Sequence, residues 1–192
     1  PINPYGKTKE SIENILEDLI IHNSDWKIGI LRYFNPVGAH QSGLIGEDPK
    51  GIPNNLMPFI SQVALGKRKK LTIHGDNYPT PDGTGIRDFI HVVDLAKGHV
   101  KTLENLIENN HLILNLGTGK GHSVKELINT FEKVSRKKIA FEIGTRRKGD
   151  CSTLYADTSK ARNILGWEAK LSLIEMCKDT WKWAEKNPNG YD

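Results

Sequence analysis

Tyr5 and Lys9 stand four residues apart in Tyr5-Gly6-Lys7-Thr8-Lys9, at the head of a stretch with helical periodicity. On a helix that spacing puts a phenol and an ammonium on one face. A cation beside a phenol favours the phenolate and so suits it to act as a general base. A Tyr and a Lys so placed are also common as plain surface neighbours, and the pair alone does not decide for chemistry. His22, His99, His111 and His122 show no metal-ligand spacing. His91, inside a strand-like run, reads as a structural histidine.

The elements that must position these groups alternate. Lys7 to Asn23 reads as a helix, with Ile12, Ile15, Leu16, Leu19 and Ile20 at helical spacing. Trp26 to Tyr33 reads as a strand buried on both faces. Asn35 to Asn55 is a long loop rich in Gly, Pro and Asn, of a size that is usually functional. Leu56 to Leu65 is expected to be helical, with Pro58 in the first turn. Strands are expected at 71–75, 87–92, 112–116, 139–143 and 153–156. Helices are expected from Asp94 as N-cap to about Ile107, from Ser123 with a Ser123–Glu126 capping box, over 159–165 and over 172–186. This order implies an α/β fold.

The 192 residues suffice for one domain or one lobe of a larger protein. A net charge of +4 suits an anionic ligand but is mild and spread along the chain; it does not by itself argue for nucleic acid, and no nucleic-acid partner is expected. The densest basic run, Lys67 to Lys70, reads as a solvated helix-to-strand loop. Cys151 and Cys177 form no disulfide framework, no run approaches a membrane span, and a cytoplasmic location is the expectation. The aromatics Trp167, Trp181 and Trp183 read as core and interface packing. No G-x-G-x-x-G follows a strand. Gly117-Thr118-Gly119-Lys120-Gly121 fits neither a dinucleotide nor a P-loop spacing, and reads as a tight strand–helix turn.

Several strings recur in a definite order: Leu31-Arg32-Tyr33-Phe34-Asn35-Pro36-Val37-Gly38-Ala39-His40, Gly46-Glu47-Asp48-Pro49, and Gly51-Ile52-Pro53-Asn54-Asn55-Leu56-Met57-Pro58. Then come Asp82-Gly83-Thr84-Gly85-Ile86-Arg87-Asp88-Phe89-Ile90-His91-Val92, Asn115-Leu116-Gly117-Thr118-Gly119 and Arg146-Arg147-Lys148-Gly149-Asp150. With Tyr-x-x-x-Lys ahead of them, the set resembles the UDP-glucose (UDP-galactose) 4-epimerases of the extended short-chain dehydrogenase/reductase family, from about Asn3 to Asn187. The resemblance implies the C-terminal part of a Rossmann-like fold with a smaller mixed α/β substrate-binding domain. Residues 1–34 would close an incomplete NAD-binding domain. Residues 35–192 would mainly bind the UDP-sugar, with about 87–117 returning to the Rossmann side.

It also implies roles. Tyr5 would take the proton of the sugar 4-hydroxyl while hydride passes to NAD, and Lys9 would hold the nicotinamide ribose, with Tyr33 and Phe34 beside the nicotinamide. Arg87 and Arg147 would contact the diphosphate, whose oxygens match a guanidinium fork. Asn35, Asn55 and Leu56 would bind around it, Thr72, Ile73 and His74 would line the uracil, and Asp150 would accept from the ribose. Asn35 could instead be a turn residue, and Arg87 could pair with Asp88. The implied activity is reversible 4-epimerisation of UDP-glucose and UDP-galactose in galactose metabolism, in a homodimer contacting through the helix that carries Tyr5 and Lys9.

His74 departs from the family, where Phe is commoner, and Leu154 falls beside the sugar, intermediate between residues that restrict and admit N-acetylated sugars. UDP-N-acetylhexosamine or UDP-pentose substrates, or a non-catalytic UDP-sugar-binding fragment, are the alternatives. A start at Pro1-Ile2-Asn3-Pro4 without Met is read as a truncation. Alone, the polypeptide is expected neither to hold NAD nor to turn over, and to be poorly soluble.

Overall fold

A computed structural model of the chain describes residues 1–191. Among the described residues, four small sheets and six helices make the α/β fold that the alternation implies. Two sheets are parallel pairs: β1 (Ile28–Tyr33) with β6 (His111–Leu116), and β2 (Asn35–Val37) with β5 (Phe89–His91). The third pairs β3 (Leu71–His74) in parallel with β8 (Phe141–Gly144). In the fourth, β4 (Ile86–Arg87) lies between β7 (His122–Ser123), antiparallel, and β9 (Thr153–Leu154), parallel.

Two apolar clusters hold these sheets against the helices. One joins α2 (Leu56–Ala64), α4 (Val124–Ser135) and α6 (Leu173–Lys186) around Met57, Ile60, Phe131, Met176 and Trp181. The other sets α3 (Val92–Asn105) and α5 (Ser159–Leu165) on β6 through Leu95, Leu114, Leu116, Leu165 and Trp167. All three expected aromatics, Trp167, Trp181 and Trp183, are buried.

Several boundaries differ from the sequence reading, each for a local reason. The first helix, α1, runs Pro4–His22 rather than from Lys7, because Asn3 caps it through the Gly6 N–H at 2.8 Å and Pro4 suits the first helical position. Tyr5 therefore belongs to the first turn. None of α1 is buried, and Ile12, Ile15 and Leu19 are exposed. β1 starts two residues later than expected and buries only Ile30, since β6 is its one partner among the described residues. The expected strand at 87–92 is two short strands with Asp88 between them.

Asp94 is not the N-cap of α3. His91 caps it, its Nδ1 accepting from the Val93 N–H at 3.1 Å. The buried Asp94 carboxylate instead accepts from the Lys170 and Leu171 N–H groups, each at 2.7 Å. The Ser123 capping box is half formed: Ser123 Oγ accepts from Glu126 N–H, but the Glu126 carboxylate turns to His122. The complete capping box is Ser172 with Glu175 in α6.

Asp88 is fully buried and pairs with no arginine. Its carboxylate accepts from Thr118 N–H (2.9 Å), Thr118 Oγ1 (2.6 Å), Gly119 N–H (2.9 Å) and Ala156 N–H (3.2 Å). The turn read as a tight strand–helix connection is thus wrapped around a buried charge. Gly117 has no room for a side chain there, since a Cβ would stand 2.5 Å from Asp88 Oδ2. Removing a buried acceptor leaves its donors unsatisfied, so Asp88→Ala should destabilise the protein by about 3 kcal/mol or more. Equilibrium urea unfolding of the full protein carrying residues 1–192 checks this, and an unchanged midpoint would refute it.

His91 has no exposed surface. Its Nδ1 is occupied as an acceptor, so the neutral ring carries its proton on Nε2, 3.3 Å from Asp179 Oδ2. Burial holds its pKa below the usual 6.5, against the upward pull of Asp179. The folded protein therefore binds this proton less readily than the unfolded chain. The contribution to stability is fully present above pH 6.5 and is lost as pH falls below it. Urea midpoints measured downward from pH 7.5 should fall more steeply for the wild type than for His91→Gln.

Candidate functional site

A cavity of about 560 Å³ opens between the head of α2, the strand β3, β4 and the loop 146–150. Its wall gathers nine residues that the sequence singles out for a ligand: Asn35, Asn55, Leu56, Thr72, Ile73, His74, Arg87, Arg147 and Asp150. They arrive on four elements and one loop. Asn35 opens β2, and Asn55 and Leu56 are the N-cap and first residue of α2. Thr72, Ile73 and His74 close β3, where alternation buries Leu71 and Ile73 in the core. The first turn of a helix has unpaired N–H groups and the positive end of the dipole, so the α2 terminus favours an anion in this cavity.

The charges point the same way. The Arg87 side chain is 17% exposed, and its Nη2 donates to Asp150 Oδ1 at 2.7 Å. Its Nη1 donates to the Ile86 carbonyl at 2.8 Å, so the guanidinium plane is set before any ligand arrives. The alternative pairing with Asp88 does not occur. Arg147 is exposed in the same wall.

Arg68 and Lys70 line the cavity as well, which corrects the reading of the 67–70 run as merely solvated. Arg68 is steered inward by Gln62, whose Oε1 accepts from its Nε at 2.5 Å, and by stacking 4.9 Å above the Phe59 ring. Lys70 pairs with Glu142 of the neighbouring strand. The signal in the sequence was the adjoining β3, whose alternation carries Lys70 to the face of Thr72. Four cations against one carboxylate make a site for an anion. Phe59, Tyr78 and Phe89 complete an apolar part of the wall that sequence reasoning had not singled out.

The other expected residues lie outside that wall. Tyr5 is 72% exposed, with Lys9 Nζ 5.4 Å from its ring centroid, on one helical face as the spacing predicts. The helix head abuts the cavity loop, because a Cβ on Gly149 would stand 3.6 Å from Asn3 Cβ. Tyr33 ends β1, is exposed, and lies with its ring 6.1 Å from His99. Phe34 is half-buried and donates its N–H to the Leu116 carbonyl. Leu154 sits in β9 beside Arg87, 49% exposed. Among the described residues no cluster of His, Cys, Asp and Glu could hold a metal ion, and no helix is long and apolar enough to cross a membrane.

The family model described as GDP-mannose 4,6 dehydratase matches residues 1–180. The chain belongs to this family. Within it, the resemblance is to UDP-glucose 4-epimerases: the one from Bacillus subtilis is 56% identical over 190 residues, which is 98% of this chain and 56% of that protein. A structure of the Bifidobacterium longum UDP-glucose 4-epimerase in complex with NAD+ and UDP superimposes with a TM-score of 0.95 at 51% identity, over 99% of this chain and 57% of that one. A second, from Stenotrophomonas maltophila with NAD and formylated UDP-arabinopyranose, gives 0.93 at 50% identity, over 97% and 56%. The chain thus spans about half the length of the relatives it matches.

The held guanidinium of Arg87 is the cation in the cavity wall whose orientation is fixed by two bonds within the chain. Losing one charge-assisted contact costs about tenfold or more in affinity. Titration of the full protein with inorganic pyrophosphate should show that loss for Arg87→Ala. Equal binding by wild type and variant would remove Arg87 from the anion site.

Proposed function

We propose that this chain supplies the UDP-sugar-binding part, and the Tyr5–Lys9 pair, of an NAD-dependent UDP-glucose 4-epimerase that interconverts UDP-glucose and UDP-galactose in galactose metabolism. The observation that carries the reading is the single cationic cavity shared by nine ligand-type residues from separate chain segments. It supports a diphosphate between Arg87 and Arg147, with Asn35, Asn55 and Leu56 at the α2 terminus. Asp150, already oriented by Arg87, would accept from the ribose, and β3 with His74 would face the base.

In this reading Tyr5 is the base that takes the proton of the sugar 4-hydroxyl and later returns it, and Lys9 would hold the nicotinamide ribose beside it. NAD, when bound, supplies the reversible hydride acceptor that makes a 4-keto sugar accessible without net redox change. The residues present fit one end of that cofactor: Tyr5, Lys9 and Tyr33 are exposed and available, with Phe34 beside them. They do not fit its pyrophosphate. The glycine turn at 117–119 directs its Thr118 and Gly119 N–H groups to Asp88, so neither is left for a phosphate. The cradle must come from other residues. We accordingly assign residues 1–34 to a dinucleotide-binding side and 35–192 mainly to the UDP-sugar side. The β1–β6 pairing supports the return of about 87–117 to the former.

The exposed Ile12, Ile15 and Leu19 stripe of α1 supports a homodimer through that helix, and two free cysteines suit the cytoplasm. A UDP-pentose or UDP-N-acetylhexosamine substrate is the second reading, favoured by the exposed Leu154 beside Arg87, which leaves the sugar end open.

The test is a protein in which residues 1–192 follow the dinucleotide-binding half of the Bacillus subtilis relative. It should bind UDP and convert UDP-galactose to UDP-glucose. Tyr5→Phe should lower kcat by about 100-fold or more while UDP affinity is kept. UDP binding without turnover by the unsubstituted protein would favour a non-catalytic module, and full turnover by Tyr5→Phe would remove Tyr5 as the base.

A further inference from the structure

The C-terminal segment grips the loop ahead of α2 by its backbone. The Tyr191 hydroxyl accepts from the Gly46 N–H at 2.9 Å and donates to the Gly46 carbonyl at 3.1 Å. Trp183 Nε1 donates to the Glu47 carbonyl at 3.3 Å, and the Tyr191 N–H donates to Asp48 Oδ2 at 3.1 Å. Gly46 lies flat on the Trp183 indole, where a Cβ would come within 2.2 Å of the ring. The Trp183 and Tyr191 rings pack with centroids 4.6 Å apart and planes tilted by 42°. The peptides on both sides of Glu47 are therefore fixed by groups far away in sequence.

What that grip presents to α2 is the Glu47 carboxylate. Asn55 Nδ2 donates to its Oε1 at 3.4 Å. Asn55 is the N-cap of α2, a position where an Asn oxygen ordinarily accepts from the helix's own N–H groups. Here the side chain makes no capping bond and lines the cavity instead. A carboxylate can only accept, so it selects the amide's nitrogen and fixes which way round the Asn55 side chain lies. The second N–H and the Oδ1 of Asn55 are left for the cavity. Glu47 is not itself in that wall. Partial desolvation pushes its carboxyl pKa up and the Asn55 bond pulls it down, although the residue as a whole is exposed.

We propose that Glu47 is a positioning residue for the nucleotide-diphosphate site. It orients the Asn55 amide so that its free N–H faces the bound anion, and the Trp183–Tyr191 segment is the clamp that holds Glu47 in place. The proposal rests on the UDP reading above. It assigns to the end of the chain a function in ligand affinity that no residue there performs by contact.

A double-mutant cycle with UDP as the titrant tests it, on the full protein carrying residues 1–192. Glu47→Ala should weaken UDP binding about fivefold, the scale of one oriented hydrogen bond, and should have no effect in an Asn55→Ala background. Glu47→Gln can donate as well as accept, so it no longer selects the amide's nitrogen and should lose part of the same affinity, falling between wild type and Glu47→Ala. Thermal unfolding without UDP separates this from a folding defect, since only a structural role lowers the midpoint in proportion to the lost affinity. Unchanged affinity in Glu47→Ala, or the same loss with and without Asn55, overturns the proposal. A wild-type protein that binds no UDP overturns the UDP reading itself, and this one with it.

Discussion

One buried charge organises the middle of this chain. The Asp88 carboxylate has no exposed surface and no cationic partner, yet four donors from 118, 119 and 156 satisfy it. A carboxylate out of water is tolerated only under such conditions. Its backbone groups are both bonded too: the Asp88 N–H donates to the Leu154 carbonyl, and its carbonyl accepts from the Asn35 N–H. Separate chain segments meet there. The residues on either side inherit fixed positions from it. Arg87 faces the cavity with its plane set, Phe89 enters the cluster around α2, α4 and α6, and Ile90 enters the one around β6. Alternation between Phe89 and Ile90 at the start of β5, two residues after Arg87 in β4, thus ties both cores to the charged wall of the site.

The sequence made the elements legible wherever periodicity and local chemistry agree. Ser159–Leu165, the helix after Asn55 and the strands at 71 and 112 all follow from apolar spacing and from flanking Gly, Pro or Ser. The errors cluster where a side chain takes a partner other than the one its local motif offers. Asp94 looks like a cap by its type and place, but a backbone turn at 170–171 claims it and His91 takes the cap. Glu126 leaves its box for His122. Local rules weigh only the expected partner, and here other partners win.

The site followed the same division. The motif strings carry six of the residues that share one wall, and the family resemblance they establish adds Thr72, Ile73 and His74. Arg68 and Lys70 were missed: a basic run reads as solvated unless Gln62, Phe59 and Glu142 are known to surround it. Nor could spacing reveal that Asn55 forgoes its helix for Glu47, since that depends on a loop held by Trp183 and Tyr191 from the far end of the chain.

The two halves of the proposed chemistry differ in how well this chain holds them. The anion wall is built from residues tied by bonds within the chain: Arg87 to Asp150 and Ile86, Arg68 to Gln62, Asn55 to Glu47. The phenol and ammonium stand on a helix with no buried residue, joined to β1 chiefly by the Glu13–Arg32 ion pair. That pair holds the Glu13 carboxyl below its ordinary range and raises Arg32, but at an exposed site it contributes little stability. Binding geometry is therefore intrinsic to these residues, whereas catalytic geometry depends on whatever covers α1 and the free edge of β1. A ligand can be recognised by preformed groups alone, but proton and hydride transfer require atoms held within a few tenths of an ångström. The exposed apolar stripe of α1 and the single-sided β1 are the surfaces through which that constraint would be imposed.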